Sequence, residues 1–362
     1  MIKQKRMGFS VFILMIASCW LMGYSLLMTE QTIATVRSAL SMFVRSVLPP
    51  LAIFFVCSKV LIKLGMAEKL TQLPLEKFLA NIGMSAGGFA AFLIGLFAGF
   101  PTGAAVLAEL CERGEISERE AASLLPFCNQ AGIVFLVGTV GNVMLGDAGM
   151  GVVFFAAQTV TAWICVCLTA HERQGCQANG GPRTRLQVFR ISVVTSAIRE
   201  SAFSMIGVCG FVVFFSLLGK ALFDTMLAAG MPFGNLFQTV IGGFLEISVG
   251  FGSLAEGGYT IRTIRILGGM FLGFGGCSVF LQALEKTEAF FSAPQKYFFG
   301  KLLASIICPI FTVLFSFFYE RYDGKKLIIA TLVIAFCVSY LLNYVKIKFF
   351  SKKCGKIKRN AV

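Results

Sequence analysis

Histidine is almost absent from this chain: His171 is the single one in 362 residues. A catalytic triad built on imidazole, or a zinc site with histidine ligands, has almost nothing to draw on. Charge is scarce as well, at 14% of residues, and Glu246 is nearly the only ionisable group inside the apolar runs. A membrane enzyme needs a clustered nucleophile, a metal set or paired carboxylates, so the sequence argues against an enzyme. "GLFAGFPTGA" at 95–104 is glycine-rich but lacks the lysine and Ser/Thr that complete a phosphate loop. No cofactor or metal is expected.

Cysteine, by contrast, is plentiful. Nine of the twelve (Cys19, Cys57, Cys128, Cys165, Cys167, Cys209, Cys277, Cys308 and Cys337) lie in apolar segments, where they read as small buried packing residues. "CVC" at 165–167 has no neighbouring ligands.

What dominates is apolar surface. Hydrophobic residues make up 57% of the chain and the mean hydropathy is +0.80, the composition of a protein whose solvent is largely lipid. Charge-poor runs lie near 7–29, 44–62, 78–108, 121–146, 148–170, 201–219, 225–245, 266–284, 302–319 and 327–345. Several approach the roughly 20 residues a spanning helix needs. The first follows Lys3, Lys5 and Arg6 but has no small-residue cleavage site after it, so it is expected to stay as an anchor helix. The net charge of +14 gathers at the edges of apolar runs: at the start, at Arg173, Arg183, Arg185, Arg190 and Arg199, and in the lysine-rich end. That pattern fits membrane orientation, with all three clusters and both termini cytoplasmic, rather than nucleic-acid binding.

The orientation constrains the path. Five simple crossings before residue 171 would leave the arginine-rich middle loop outside. The run from Phe78 to Ala108 is the one that fails to cross, because a straight helix of that length would extend about 46 Å against about 30 Å of hydrocarbon. A hairpin fits: 66–84 as an interfacial helix, then 86–112 entering, turning at "FAGFPTG" and leaving on the same side. Pro101 removes a donor there, and Gly99 and Gly103 permit the turn. Freed backbone groups at membrane depth are tolerated only beside protein or a wet cavity.

The second half repeats the pattern. "GNLFQTVIGGFLEISVGFGSLAEG" at 234–257 matches the first hairpin, Gly87-Gly88-Phe89 being answered by Gly242-Gly243-Phe244 and "AGFPTGA" by "VGFGSLA". Each hairpin is followed by an interrupted helix, at "CNQAG" 128–132 and "GFGGCS" 273–278. Counting sides makes the repeats inverted, which points to a secondary transporter. The expected fold is an all-α polytopic membrane protein with about eight full transmembrane helices, two re-entrant helical hairpins and an inverted repeat. Its parts are an N-terminal anchor (1–30), a first repeat (31–170, with hairpin 86–112 and broken helix 121–146) and a basic cytoplasmic loop (171–199). A second repeat (200–320, with hairpin 234–257 and broken helix 260–285) and a last transmembrane helix with basic tail (321–362) complete it.

Candidate binding residues follow from the breaks. Glu246 leads, since a carboxylate inside the second hairpin needs a partner or water. Asn129 and Gln130 in the first break have the donors to hold a carboxylate or a nucleobase edge, or to bond between helices. Thr102, Ser248, Ser253, Ser278 and Gln282 supply a polar lining, with Gly99, Pro101, Gly103, Gly275 and Gly276 shaping the turns. Arg262 and Arg265 read as entrance guides or as interfacial anchors. At 111–122 a capping box is expected, with Ser117 as cap and Glu120 reaching back. Beside an anionic ligand, Glu246 must be protonated or paired, and a proton-coupling role reconciles the two.

This order of elements is similar to the core of concentrative nucleoside transporters and to the wider nucleoside-recognition, or Gate-domain, membrane proteins. More narrowly, "SMFVRSVLPPLAIFFVCSKVLIKLG" at 41–65, "GLFAGFPTGAAVLAELCERGEISEREAASLLPFCNQAGIVFLVG" at 95–138 and "LGFGGCSVFLQAL" at 272–284 resemble the YlbJ family of sporulation integral membrane proteins, also called stage V sporulation protein V. The resemblance implies a transporter in the outer forespore membrane of an endospore former, with dipicolinic acid as substrate. It also implies a homo-oligomer, beside the small-molecule substrate and the bilayer as partners; nucleic acid is not among them. A nucleoside transporter, or a membrane scaffold of spore assembly, is the alternative.

Overall fold

The computed structural model describes residues 9–65, 69, 79, 82–173, 191–231, 234–287 and 294–321, and their regular secondary structure is all helical. The first helix, α1 (Phe9–Leu27), is bent by 102° from the next. A continuous helical path then runs through α2 (Thr29–Met42), a π-helical turn (Phe43–Val47) and α3 (Leu48–Lys63), because residues 29–48 contain no glycine or proline. Pro49 and Pro50 open α3. Pro50 has no N–H to give the Ser46 carbonyl four residues back; the π turn widens the path there, and the Thr139 hydroxyl donates to the Ser46 carbonyl at 2.9 Å. Thr139→Val removes this hydrogen bond and is expected to cost about 0.5–1.5 kcal/mol, read as a lowered unfolding midpoint in detergent.

The helical pair Ala86–Ala98 (α4) and Thr102–Glu112 (α5) comes next. Ser85 caps α4 by accepting the Gly88 N–H at 3.0 Å, and residues 99–101 separate the two helices. Both press against α6 (Glu118–Cys128): a Cβ on Gly95 or on Gly103 would overlap the Cys128 carbonyl oxygen. Ser117 caps α6 through the Glu120 N–H at 3.2 Å, but only half of the expected capping box forms. The Glu120 carboxylate accepts from the Ser85 N–H at 2.7 Å instead, tying α6 to the entry of α4. The interfacial helix expected at 66–84 lies mostly outside the described residues; its end, at Ile82 and Gly83, is a turn.

Residues 129–132 interrupt the helix after α6, which resumes as a π-helical segment, Phe135–Met144. Asp147 then caps α7 (Ala148–Leu168) by accepting from Gly149 and Met150. The long α8 (Ile191–Ala228) starts earlier than the expected loop boundary at 199, so Arg199 is helical; residues 174–190 lie outside the described set. Lys63 meets Glu200 at 2.8 Å and Lys59 meets Ser204 at 3.2 Å. At the far end Tyr24, beside the start of α2, donates to Asp224 at 2.6 Å. The α2–α3 path and α8 therefore lie antiparallel.

A second pair, α9 (Asn235–Leu245) and α10 (Ile247–Glu256), meets at Glu246. It precedes α11 (Ile261–Phe274), a Gly275–Gly276 break with φ of +86° and +93°, and α12 (Cys277–Thr287). Only residues without a Cβ take that pair of angles cheaply. The last described helix is α13 (Pro294–Arg321); the expected final helix and basic tail fall outside the described residues. Phe154, Phe251 and Phe271, with ring centroids 5.4 and 6.2 Å apart in edge contacts, lock α7, α10 and α11 together.

Among the described residues four helical stretches are long and apolar enough to cross a membrane: Ala148–Arg173, Ile191–Ala228, Ile261–Thr287 and Pro294–Arg321. Counting the bent pair at the start makes five. The nine described cysteines are free thiols. Cys128, Cys165, Cys167 and Cys308 are buried as expected, but Cys19 and Cys57 are exposed. An apolar run intended for lipid has outward faces too, so apolar surroundings in sequence do not imply burial in protein.

Candidate functional site

Four interruptions of the helices lie at 99–101, 129–132, 246 and 275–276. A helix restarts after each, so each delivers a helix N-terminus with unpaired N–H groups and partial positive charge. Three of them, and the helix that follows the fourth, line one small cavity. Gly99 and Phe100 come from the first, Gly132 from the second, Glu246 and Ser248 from the third, and Ser278 and Gln282 from the helix after the fourth. Val47 and Leu51 of the α2–α3 path and Val208 and Val212 of α8 close the remaining wall. The volume is about 10 Å³, room for about one water.

Glu246 stands at the junction of α9 and α10 and is 3% exposed. Its Oε2 accepts the Val249 N–H at 2.8 Å, so the carboxylate caps its own following helix. The Ser248 hydroxyl donates to Oε1 at 3.4 Å. Across the cavity Gln282 donates to the Ser278 hydroxyl at 3.4 Å, while its Oε1 is buried without a partner. An acceptor left unmet in the protein is a ready place for a donor on a ligand or water.

Of the residues singled out in the sequence, Gly99, Glu246, Ser248, Ser278 and Gln282 meet here. Gly276 backs onto the Glu246 main chain, and Gly275 onto Lys301. The others lie elsewhere. Pro101 and Thr102 line a recess of about 370 Å³ with Lys59, Lys63, Glu109, Glu200 and Lys286, and Gly103 serves the contact with Cys128. Ser253 lines a larger recess of about 1100 Å³ with Arg37, Arg45, Lys220 and Glu256. These two recesses lie toward opposite ends of the antiparallel α2–α3 and α8 helices, with the cavity between them. Arg265 forms an ion pair with Glu320.

Asn129 and Gln130 bond away from the cavity. Asn129 Nδ2 donates to the Tyr297 hydroxyl at 2.9 Å, and Gln130 Nε2 to the Phe127 carbonyl at 3.1 Å. Their task is to hold the break open, and Gln158 on α7 shares it. Its Oε1 accepts from the Ala131 N–H at 3.2 Å and its Nε2 donates to the Ala131 carbonyl at 2.8 Å. One amide side chain thus replaces both missing backbone partners. Sequence reasoning passed over Gln158, Tyr297 and Lys301; the signal was a lone polar side chain inside or at the lip of an apolar run.

Arg173 is a further omission, having been grouped with the cytoplasmic charges. Its guanidinium is buried and donates to the carbonyls of Gly83 (3.0 Å), Ile82 (3.1 Å) and Val166 and to the hydroxyls of Ser123 (2.9 Å) and Thr169 (3.0 Å). It joins the entry of α4, α6 and the end of α7. Arg173→Met strands these acceptors and is expected to cost about 3 kcal/mol or more, seen as loss of a monodisperse peak on size exclusion.

The long apolar helices define an all-helical integral membrane protein. No family model matches the chain, and no solved structure gives a significant match. Among curated proteins it is similar to the "Sporulation integral membrane protein YlbJ" of Bacillus subtilis (strain 168), 25% identical over 314 residues that cover 77% of this chain and 76% of that protein.

Proposed function

We propose that the chain is a sporulation-associated transporter that moves a small anionic or polar heterocycle, dipicolinic acid by resemblance, across the outer forespore membrane by alternating access. The observation that carries this reading is the convergence of three helix interruptions, and of the helix restarting after a fourth, on one cavity containing Glu246. Broken helices meeting in this way, with half-helix N-termini directed at an anionic group, are how secondary transporters build a substrate site. A recess at either end and about one water's space between them suit a carrier caught closed to both sides. The positive N-termini suit a carboxylate, and the unused Gln282 acceptor suits a donor on the ring or a proton.

In this reading the two short-helix pairs are re-entrant hairpins, the second repeat is inverted relative to the first, and about eight helices cross fully. Both termini are cytoplasmic.

The test is uptake by purified protein in liposomes, comparing labelled dipicolinate with labelled uridine. Saturable dipicolinate flux supports the proposal, and saturable uridine flux redirects it to nucleosides. No flux of either from folded protein favours an assembly scaffold. Single cysteines at Phe97, Phe100, Thr102 and Ala105, positions that already carry a Cβ, probed with a water-soluble thiol reagent in a background without reactive cysteines, give a second measure: a transporter labels at this depth, whereas a scaffold has no water path there.

A further inference from the structure

Lys301 lies in the first third of α13 and is 2% exposed. Its Nζ donates to the Asn129 carbonyl at 2.7 Å and stands 5.8 Å from the centroid of the Tyr297 ring. A Cβ placed on Gly275 would come within 3.7 Å of the same Nζ. One amino group therefore bonds to the break after α6 and faces the open side of Gly275 in the break after α11. Close backbone packing sets it there: Gly300 leaves no room for a side chain against Pro126 of α6, and Gly273 of α11 none against Ala304 and Ser305 of α13.

The accepting group matters. The Asn129 carbonyl lies just past the C-terminal end of α6, the negative pole of a half-helix. Unwound carbonyls and half-helix C-termini are the ligands with which broken-helix transporters hold a coupling cation. Among the described residues no carboxylate forms an ion pair with Lys301. Its acceptor is a main-chain oxygen, as it would be for an alkali cation. The Asn129 side-chain oxygen is also buried and without a partner, so a second oxygen belongs to the same residue.

We propose that the Lys301 ammonium is a tethered cation, seated where the two helix breaks meet and doing there what a bound sodium ion does in sodium-coupled carriers. The consequence is that this protein keeps its site assembled, and moves its substrate, without binding an alkali cation. The statement about flux rests on the transporter reading, while the statement about the seat does not.

Thermal unfolding of the purified protein in detergent tests the seat. The wild-type midpoint is the same in sodium chloride and in choline chloride of equal ionic strength; a sodium-dependent rise overturns the proposal without any variant. Lys301→Ala lowers the midpoint, and ethylammonium, which can donate a hydrogen bond into the vacated seat, restores part of it. Tetramethylammonium, which has no N–H, does not. Equal effects of the two amines, or none, overturn it. Should Lys301→Ala fail to fold, Lys301→Met keeps the length of the side chain without the charge, and a midpoint equal to wild type overturns the proposal. In liposomes, replacing sodium by choline on both sides leaves flux unchanged. Sodium-stimulated flux sinks the tethered cation but keeps the transporter, whereas no flux at all sinks the transporter and leaves the unfolding results to decide the seat.

Discussion

Glu246→Ala is expected, on the proposed transporter function, to lower saturable dipicolinate flux into liposomes by about tenfold or more, equivalent to at least about 1.4 kcal/mol of lost stabilisation, while the protein still purifies as a single species. The expectation follows from position. Among the described residues Glu246 is the only carboxylate on the wall of the small cavity, and it sits where two short helices meet. Its structural share is modest, since removing a capping side chain costs about 0.5–2 kcal/mol. Glu246→Gln separates the two contributions, because an amide oxygen still accepts the Val249 N–H but carries no charge and cannot exchange a proton. If the carboxylate carries the coupled proton, the glutamine variant keeps its unfolding midpoint and loses any dependence of flux on a pH gradient. Unchanged pH-driven flux in that variant would remove Glu246 from the coupling, and unchanged flux in both variants would remove it from the site.

Gly103→Val carries the largest expected effect on folding. The added atoms meet the Cys128 carbonyl, and backbone cannot swing aside as a flexible side chain does. Overpacking of a tight core costs about 1–3 kcal/mol where neighbours can adjust; here the neighbour is the last turn of α6, so loss of folded protein is the expected outcome. Gly207→Ala is the control, since a Cβ there meets nothing within 4 Å and alanine favours a helix over glycine by about 1 kcal/mol. A fluorescence-detected size-exclusion profile that is normal for Gly207→Ala and absent for Gly103→Val is the expected pair. A normal profile for both would mean that α4, α5 and α6 are not packed as closely as their glycines indicate.

Much of the local structure was written in single residues. Gly99 and Pro101 mark the first turn, Gly275 and Gly276 the second break, and Ser117 the start of α6, because each acts through its own backbone or its nearest neighbours. Glu246 stood out for a related reason: a carboxylate among apolar neighbours in a membrane chain carries a cost that needs an explanation.

What could not be read was direction and distance. Asn129 and Gln130 have the chemistry of a binding site and occupy one of the breaks, yet their side chains bond to Tyr297 and to the Phe127 carbonyl. Asn129 turns toward a partner more than a hundred positions away, and Gln130 folds back onto the end of its own helix, neither of which local pattern specifies. Lys301 was hidden differently. It stands at the start of an apolar run, where a lysine ordinarily reaches for the membrane surface, and only the packing of α13 against both broken helices shows that it faces inward. Arg173 was concealed by the same assumption. The continuity of the path from Thr29 to Lys63 was legible in principle, from the absence of glycine and proline up to Pro49, but uneven hydrophobicity obscured it.

The narrow centre of the molecule has a consequence of an electrical kind. Protons and small ions cross proteins most readily along files of water, and here the file between the two recesses shrinks to about one molecule walled by Val47, Leu51, Val208 and Val212. Such a plug insulates. The recesses, with exposed Arg37 and Arg45 in one and half-buried Lys59 and Lys63 in the other, then hold charge on either side of a thin dielectric septum, and a membrane containing many copies of this protein in this conformation keeps its voltage.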